Sequence, residues 1–259
     1  MREFLEDVHE HMDDGYGRAQ AHNQMELRQR FYKTASAKEC DGGFSITLDG
    51  RPTKTPGRKP VWVSSKRLAL LLVAEWDAQD EFIDPRLMPL VRLVNSATEG
   101  GQEAEAALRE EVMKFAGNDL MLFRAESPRE LVALQNEKWG GAVDLIEQHF
   151  QIVLEPVTGI VNKNQPQESL DRLMVGLETL DFMGLTALVS ITGLTGSGLL
   201  AIALRHGILE SDQVWDLAHL DETYNAKNWG ADSEAISRLE KRRVEFDAAV
   251  KVLQLVDKV

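Results

Sequence analysis

Residues 182–204 run for about 23 positions without an Asp, Glu, Lys or Arg, in a chain whose residues are 27% charged. A stretch of that length with no polar stripe cannot lie on a surface, so lipid or the rest of the protein must cover every side of it. Gly193, Gly196 and Gly198, interleaved with Thr192, Thr195 and Ser197, would interrupt a membrane-spanning helix near its middle. The stretch therefore reads as two short core helices joined by a tight glycine-rich turn, whose small residues permit close helix contact, and no membrane insertion is expected. The same GLTGSG run lacks the Lys-Ser/Thr ending of a P-loop and the spacing of a dinucleotide fingerprint, so it is not read as a phosphate cradle.

At 259 residues and 43% hydrophobic content the chain can bury a sizeable core. Its one cysteine, Cys40, excludes an internal disulfide framework and fits a reducing compartment. A formal charge of −13 argues against nucleic acid as a partner. The charge is unevenly spread: positions 28–67 hold ten Lys and Arg against three Asp and Glu, or +7, which leaves −20 for the remainder. Such asymmetry suits a docking surface for an acidic partner, or attraction between two parts of one chain.

Residues 1–27 are acidic and lack a long apolar core, so they match neither a secretory signal nor an Arg-rich transit peptide. A flexible or partly helical acidic segment is expected there. His9, Glu10, His11, Asp13 and Asp14 form only a weak ligand set, and no metal is expected. A bacterial-type cytoplasmic location follows, with a processed mitochondrial matrix form as the alternative.

Residues 28–63 carry the punctuation of a small antiparallel β-rich domain. Asp41-Gly42-Gly43 offers a turn, residues 44–48 alternate as a half-buried strand, and Asp49-Gly50 is a hairpin signal. Residues 51–56 return as a proline-bounded edge, and residues 61–63 make a last short strand. Residues 64–259 read as a larger helical domain. Ser64 or Ser65 caps its first helix, with Leu68, Leu71, Leu72, Trp76 and Phe82 on the inner side. A helix follows Met88-Pro89, and another spans residues 103–115. Ser127 to Glu130 reads as a capping box with proline at the first helical position, opening a helix through His149. Residues 151–157 read as a strand or extended connector, and a helix from Pro166 is expected to run to about Thr179.

Residues 210–243 read as two helices joined by a break at Gly230, a hairpin that closes the chain. Ser211 and Asp212 suit a helix start, and Asp232 suits the next, with Glu234 in its first turn. Ile236, Leu239, Phe246, Val250 and Leu253, with Arg243 among them, define a seam. His219 stands alone there and reads as structural.

The runs RFYK at 30–33, ITLDGRPTKTP at 46–56, AEWDAQ at 74–79, MPL at 88–90 through Asn95, and WDLAHLDETYNAKNWGADSEA at 215–235 resemble, in order and spacing, the ATP12 family, assembly chaperones of the F1 sector of ATP synthase. The resemblance spans about residues 30–250. It implies an α+β fold in which a small N-terminal antiparallel β-rich domain packs on a larger, mainly α-helical C-terminal domain. It implies no enzymatic activity and no cofactor, and a monomer that binds the unassembled F1 α subunit until the β subunit arrives. The resemblance points to the C-terminal signature as the contact region. The acidic rim of the hairpin, Asp221, Glu222, Asp232, Glu234 and Glu240, is the candidate partner-binding set, although Asp232 also reads as a cap and Glu234 as a dipole partner. The alternative is an enzyme with a cleft between the β module and the helices, built from Asp49, Arg51, Lys54 and Glu75.

Overall fold

The computed structural model describes residues 27–159, 163–230 and 232–256. The acidic segment 1–26 and its His9 and His11 lie outside them. Small sheets in the N-terminal part precede a helical C-terminal part, so the chain is α+β.

Strands β2 (Ala35–Cys40) and β3 (Gly43–Leu48) form an antiparallel pair. Asp49 and Gly50 turn β3 back into β4 (Arg51–Pro52) with φ of 47° and 78°, the positive values that such a turn requires. Strand β5 (Trp62–Val63) pairs with the other end of β3, through Phe44 and Ser45. Ahead of this sheet, β1 (Arg28–Gln29) pairs with β6 (Phe82–Ile83), so Phe82 ends in an exposed strand and not on the first helix. That helix, α1 (Lys66–Asp77), is capped by the Ser65 hydroxyl and packs Leu68 and Leu72 against β2 and β3. Helices α2 (Pro89–Gly100) and α3 (Glu105–Gly117) follow.

The long helix α4 (Arg129–Phe150) starts one residue later than the capping-box reading places it. Pro128 is its N-cap residue, and no side chain caps it, because Ser127 falls a position outside. β7 (Phe123–Arg124) pairs in parallel with β8 (Val157–Thr158). α5 (Gln167–Val175) stops short of Thr179, where turns take over.

The uncharged run forms α6 (Phe182–Thr195) and α7 (Gly198–Arg205), as two core helices with a tight turn between them. Gly196 supplies the left-handed residue, φ 70°, that ends α6. A Cβ on Gly198 would stand 2.4 Å from the Val112 carbonyl oxygen and 2.5 Å from the Ala116 nitrogen, so only glycine lets α7 lie against α3. The turn is not open to a phosphate. The N-terminus of α7 is already filled by the buried Asp119 carboxylate, which accepts from the Ser197 hydroxyl at 2.8 Å, Leu199 N–H at 2.9 Å and Met121 N–H at 3.1 Å. Among the described residues no helix is long and apolar enough to cross a membrane.

The C-terminal stretch departs from a two-helix hairpin. His219 divides its first limb into α8 (Ser211–Ala218) and α9 (Leu220–Trp229), its Nδ1 lying 2.9 Å from the Trp215 carbonyl oxygen and its ring against the indole. Glu210 caps α8 in a box with Gln213, one residue before Ser211. The last helix, α10 (Ser233–Val256), buries Phe246, Val250 and Leu253 against α6. Its first three turns project: Ile236 is 46% exposed and Leu239 only half-buried, so the expected seam begins at Phe246.

Two outcomes test this core. Gly198→Ala should lower stability by about 1–3 kcal/mol, since the added methyl meets backbone and not a yielding side chain, and urea denaturation would read it. Burial pushes the Asp119 carboxyl up to about 7, outweighing its hydrogen bonds. The folded state therefore holds a proton that the unfolded chain has lost, and stability should fall as pH rises from about 4 through 7, by at most about 1.4 kcal/mol per unit. The difference in unfolding free energy between wild type and Asp119→Asn should shrink over that window; a pH-independent difference would refute the titration.

Candidate functional site

Helices α4, α8 and α9 enclose a groove of about 780 Å³, walled by Leu134, Leu217, Leu220 and Tyr224 and edged by Lys138 and Lys227. Trp139 fixes α4 to α8 by donating Nε1–H to the Leu217 carbonyl at 2.8 Å. Beyond the groove Trp229 ends α9 with 77% of its surface exposed, and Ile236 and the 53%-exposed Val244 lie on the projecting half of α10. Arg243 braces that half: it pairs with Asp212 of α8 and with Asp247 at 2.8 Å, its guanidinium over the rings of Trp215 and Phe246.

The five rim acids have different tasks. Asp221 turns inward and accepts from Gln135 Nε2 at 2.9 Å. Gln135 is buried and also accepts from Ala125 N–H at 2.8 Å, so Asp221 completes a junction of α4, α9 and the chain after β7. Asp232 accepts from Glu234 N–H at 3.2 Å, as a cap should, and Glu234 pairs with Arg238 at 3.3 Å. Glu222 and Glu240 are exposed and form no ion pair among the described residues. The structure thus separates an inward acid at the start of α9 from the acids of the α10 ridge. Sequence reasoning missed Trp229, Ile236 and Val244 as surface groups. Ile236 stands at seam spacing and so reads as buried, and no local pattern marks Trp229 or Val244 as exposed.

Of the groups proposed for an alternative enzyme, Asp49, Arg51 and Lys54 line one groove between the β module and α2, and Glu75 stands outside that lining. Asp49 is spent on the hairpin, where its carboxylate accepts from Lys33 and Thr34 N–H at 3.1 and 2.9 Å, which holds it below the usual carboxylate range. Glu75 caps α2, accepting from Leu90 and Val91 N–H at 2.9 and 2.8 Å, while its burial raises its pKa. Arg51 and Lys54 are exposed.

With this geometry in hand, comparison with known proteins is decisive. The ATP12 chaperone protein model matches residues 29–147. The crystal structure of Atu1473, a putative chaperone from Agrobacterium tumefaciens, shares 39% identity, covers 88% of this chain and 86% of its own, and superposes with a TM-score of 0.85. The chain belongs to the ATP12 chaperone family. Atp12 from Paracoccus denitrificans is 31% identical over 88% of this chain and 98% of its own, with a TM-score of 0.82. The mitochondrial protein atp12 of Schizosaccharomyces pombe is 26% identical over 219 residues, 80% of this chain and 75% of its own. The rim acids lie beyond the stretch that the ATP12 model matches.

Asp221→Ala should cost about 1–2 kcal/mol, because Gln135 would be left buried without its acceptor, and Asp221→Asn, which keeps an acceptor oxygen, should recover most of it. Glu222→Ala should stay within about 0.5 kcal/mol of wild type. Denaturant midpoints for the three variants separate an inward acid from a surface one.

Proposed function

We propose that this ATP12 family chaperone binds the unassembled F1 α subunit of ATP synthase and covers its β-facing surface until α and β assemble. The observation that carries this reading is the projecting half of α10 with Trp229 beside it: Trp229, Ile236 and Val244 are held in solvent beside the rim acids, with no place in the core of the described residues. An orphan subunit exposes apolar surface that would otherwise aggregate, and a holder that covers it competes by mass action. Release then needs only a better partner, so the cycle uses neither a cofactor nor catalysis. The setting that fits is a bacterial-type cytoplasm, or the mitochondrial matrix for a processed form, with one monomer per client.

The contact set is the acidic rim, Asp221, Glu222, Asp232, Glu234 and Glu240, around Trp229 and Ile236. Within it Asp221 holds the frame, while Glu222 and Glu240 are free to meet basic groups of the client. Tagged chain co-expressed with F1 α or F1 β separately should retain α, and added β should displace it; retention of β alone, or of neither, would sink the proposal. Glu240→Lys should leave circular dichroism unchanged and weaken α retention about tenfold through like-charge repulsion. Phe246→Asp is the contrasting control, since a charge forced into the core should unfold the last helix. Full α retention by folded Glu240→Lys would remove this residue from the contact.

A further inference from the structure

The basic segment 28–67 has no part in the C-terminal surface, and its charge is largely unpaired among the described residues. Of its ten cations only Arg30 forms an ion pair among the described residues, with Asp77 at 4.0 Å. Arg28, Arg51 and Lys54 instead line a groove of about 1040 Å³ between the β module and α2. Its exposed apolar surface is Phe31, 56% exposed, with the half-buried Trp76, backed by the buried Tyr32, Met88 and Val91. Arg28 lies over the Phe31 ring, 4.5 Å from the centroid, so charge and apolar surface are presented together. The one carboxylate on its wall, Asp49, is occupied by the backbone of Lys33 and Thr34. Arg92, on the far wall, is already paired with Glu245.

A second, independent observation points to an occupant. Thr53 also lines the groove, is 8% exposed, and its Oγ1 is buried without a hydrogen-bond partner among the described residues. A buried hydroxyl left unpaired costs about 1–3 kcal/mol, a deficit that a polar atom of a ligand in the groove would remove. Cations without counter-ions, an apolar floor and an orphaned hydroxyl together describe recognition of a peptide, with acidic side chains for the rim and a backbone amide for Thr53.

We propose that this groove docks an acidic segment of another protein chain, seating an apolar side chain on Phe31, Trp76 and Met88 and setting carboxylates against Arg51 and Lys54. The site is distinct from the C-terminal ridge and stands whether or not F1 α is the client. Its free cations contrast with the α10 ridge, where residues 233–245 carry four Lys and Arg against three Glu, so the two surfaces select different partner chemistry.

The test is fluorescence anisotropy of the full chain with a labelled synthetic peptide alternating Glu or Asp with Leu and Phe, beside a Lys-substituted copy. Binding of the acidic peptide alone is expected, weakened about tenfold or more by the double change Arg51→Glu with Lys54→Glu, whose positions are both exposed. Phe31→Ala should weaken it severalfold, and Lys38→Glu, at an exposed position away from the groove, should leave it unchanged. Absence of binding, equal binding of the basic copy, or an equal loss with Lys38→Glu would overturn the proposal. Neutralising Asp7, Glu10, Asp13 and Asp14 in the full chain should not alter the affinity. A tenfold tightening there would make the chain's own N-terminal segment the occupant and overturn it as well.

Discussion

Helix α6 has no polar face, and the packing of the helical part follows from that. A helix that is apolar all round must be covered on every side. Here the second half of α10, together with α2, α3 and α7, supplies the cover. Gly196, in the left-handed region, ends the helix and turns the run back. That turn is itself buried, so the free N–H groups at the start of α7 need an acceptor that is not water. Asp119 provides it from the connection after α3, which explains an acid deep in an apolar centre. Gly198 then sets how closely α3 and α7 approach. Turn, buried acid and missing side chain are three consequences of one uncharged sequence.

Where local chemistry decided the structure, it was legible beforehand. Asp49-Gly50 turns where it reads as a turn, Ser65 caps where it reads as a cap, and the GLTGSG run breaks one buried segment in two. Failures came where tertiary contact overrode the local pattern. Ser127 looks like a cap, but Pro128 is the residue that stands at the end of α4. Ile236 and Leu239 sit at seam spacing, yet Leu239 is only partly covered by the core and Ile236 is left in solvent. Periodicity reports which face is apolar and cannot report whether a partner arrives. Asp221 reads as a surface acid because Gln135, its partner, lies far away in sequence and has no local signature.

The motifs that carry the family resemblance are largely framework. In the EWDAQ run Glu75 caps α2, the Trp76 carbonyl accepts from the Tyr32 hydroxyl at 2.6 Å, and Asp77 accepts from Ala35 N–H at 3.2 Å. Gln79 is buried, accepting from Asp84 N–H at 2.7 Å and donating to the Glu75 carbonyl at 3.1 Å. Four of these five consecutive residues therefore lock the β module, α1 and α2 into one piece. A motif of this kind identifies a fold reliably, and it says little about what the fold binds. The groups free to bind are those the frame leaves over: Arg51 and Lys54 at one end, Trp229 and Glu240 at the other.

The geometry of α10 bears on how such leftover groups can act. About 13 residues of this helix, some 20 Å of it, extend before the anchor at Phe246. A free peptide of that length would be only marginally helical in water. Here the buried half nucleates the helix, the Glu234–Arg238 pair supports its first turn, and Arg243 braces it to α8 through Asp212 and the Trp215 ring. The arm is therefore helical before it meets anything. A partner then need not supply the free energy of ordering it, and contact with a modest apolar patch suffices for association. Where the arm points is set by its anchor at Phe246 against α6, so the uncharged run that organises the core also positions the ridge.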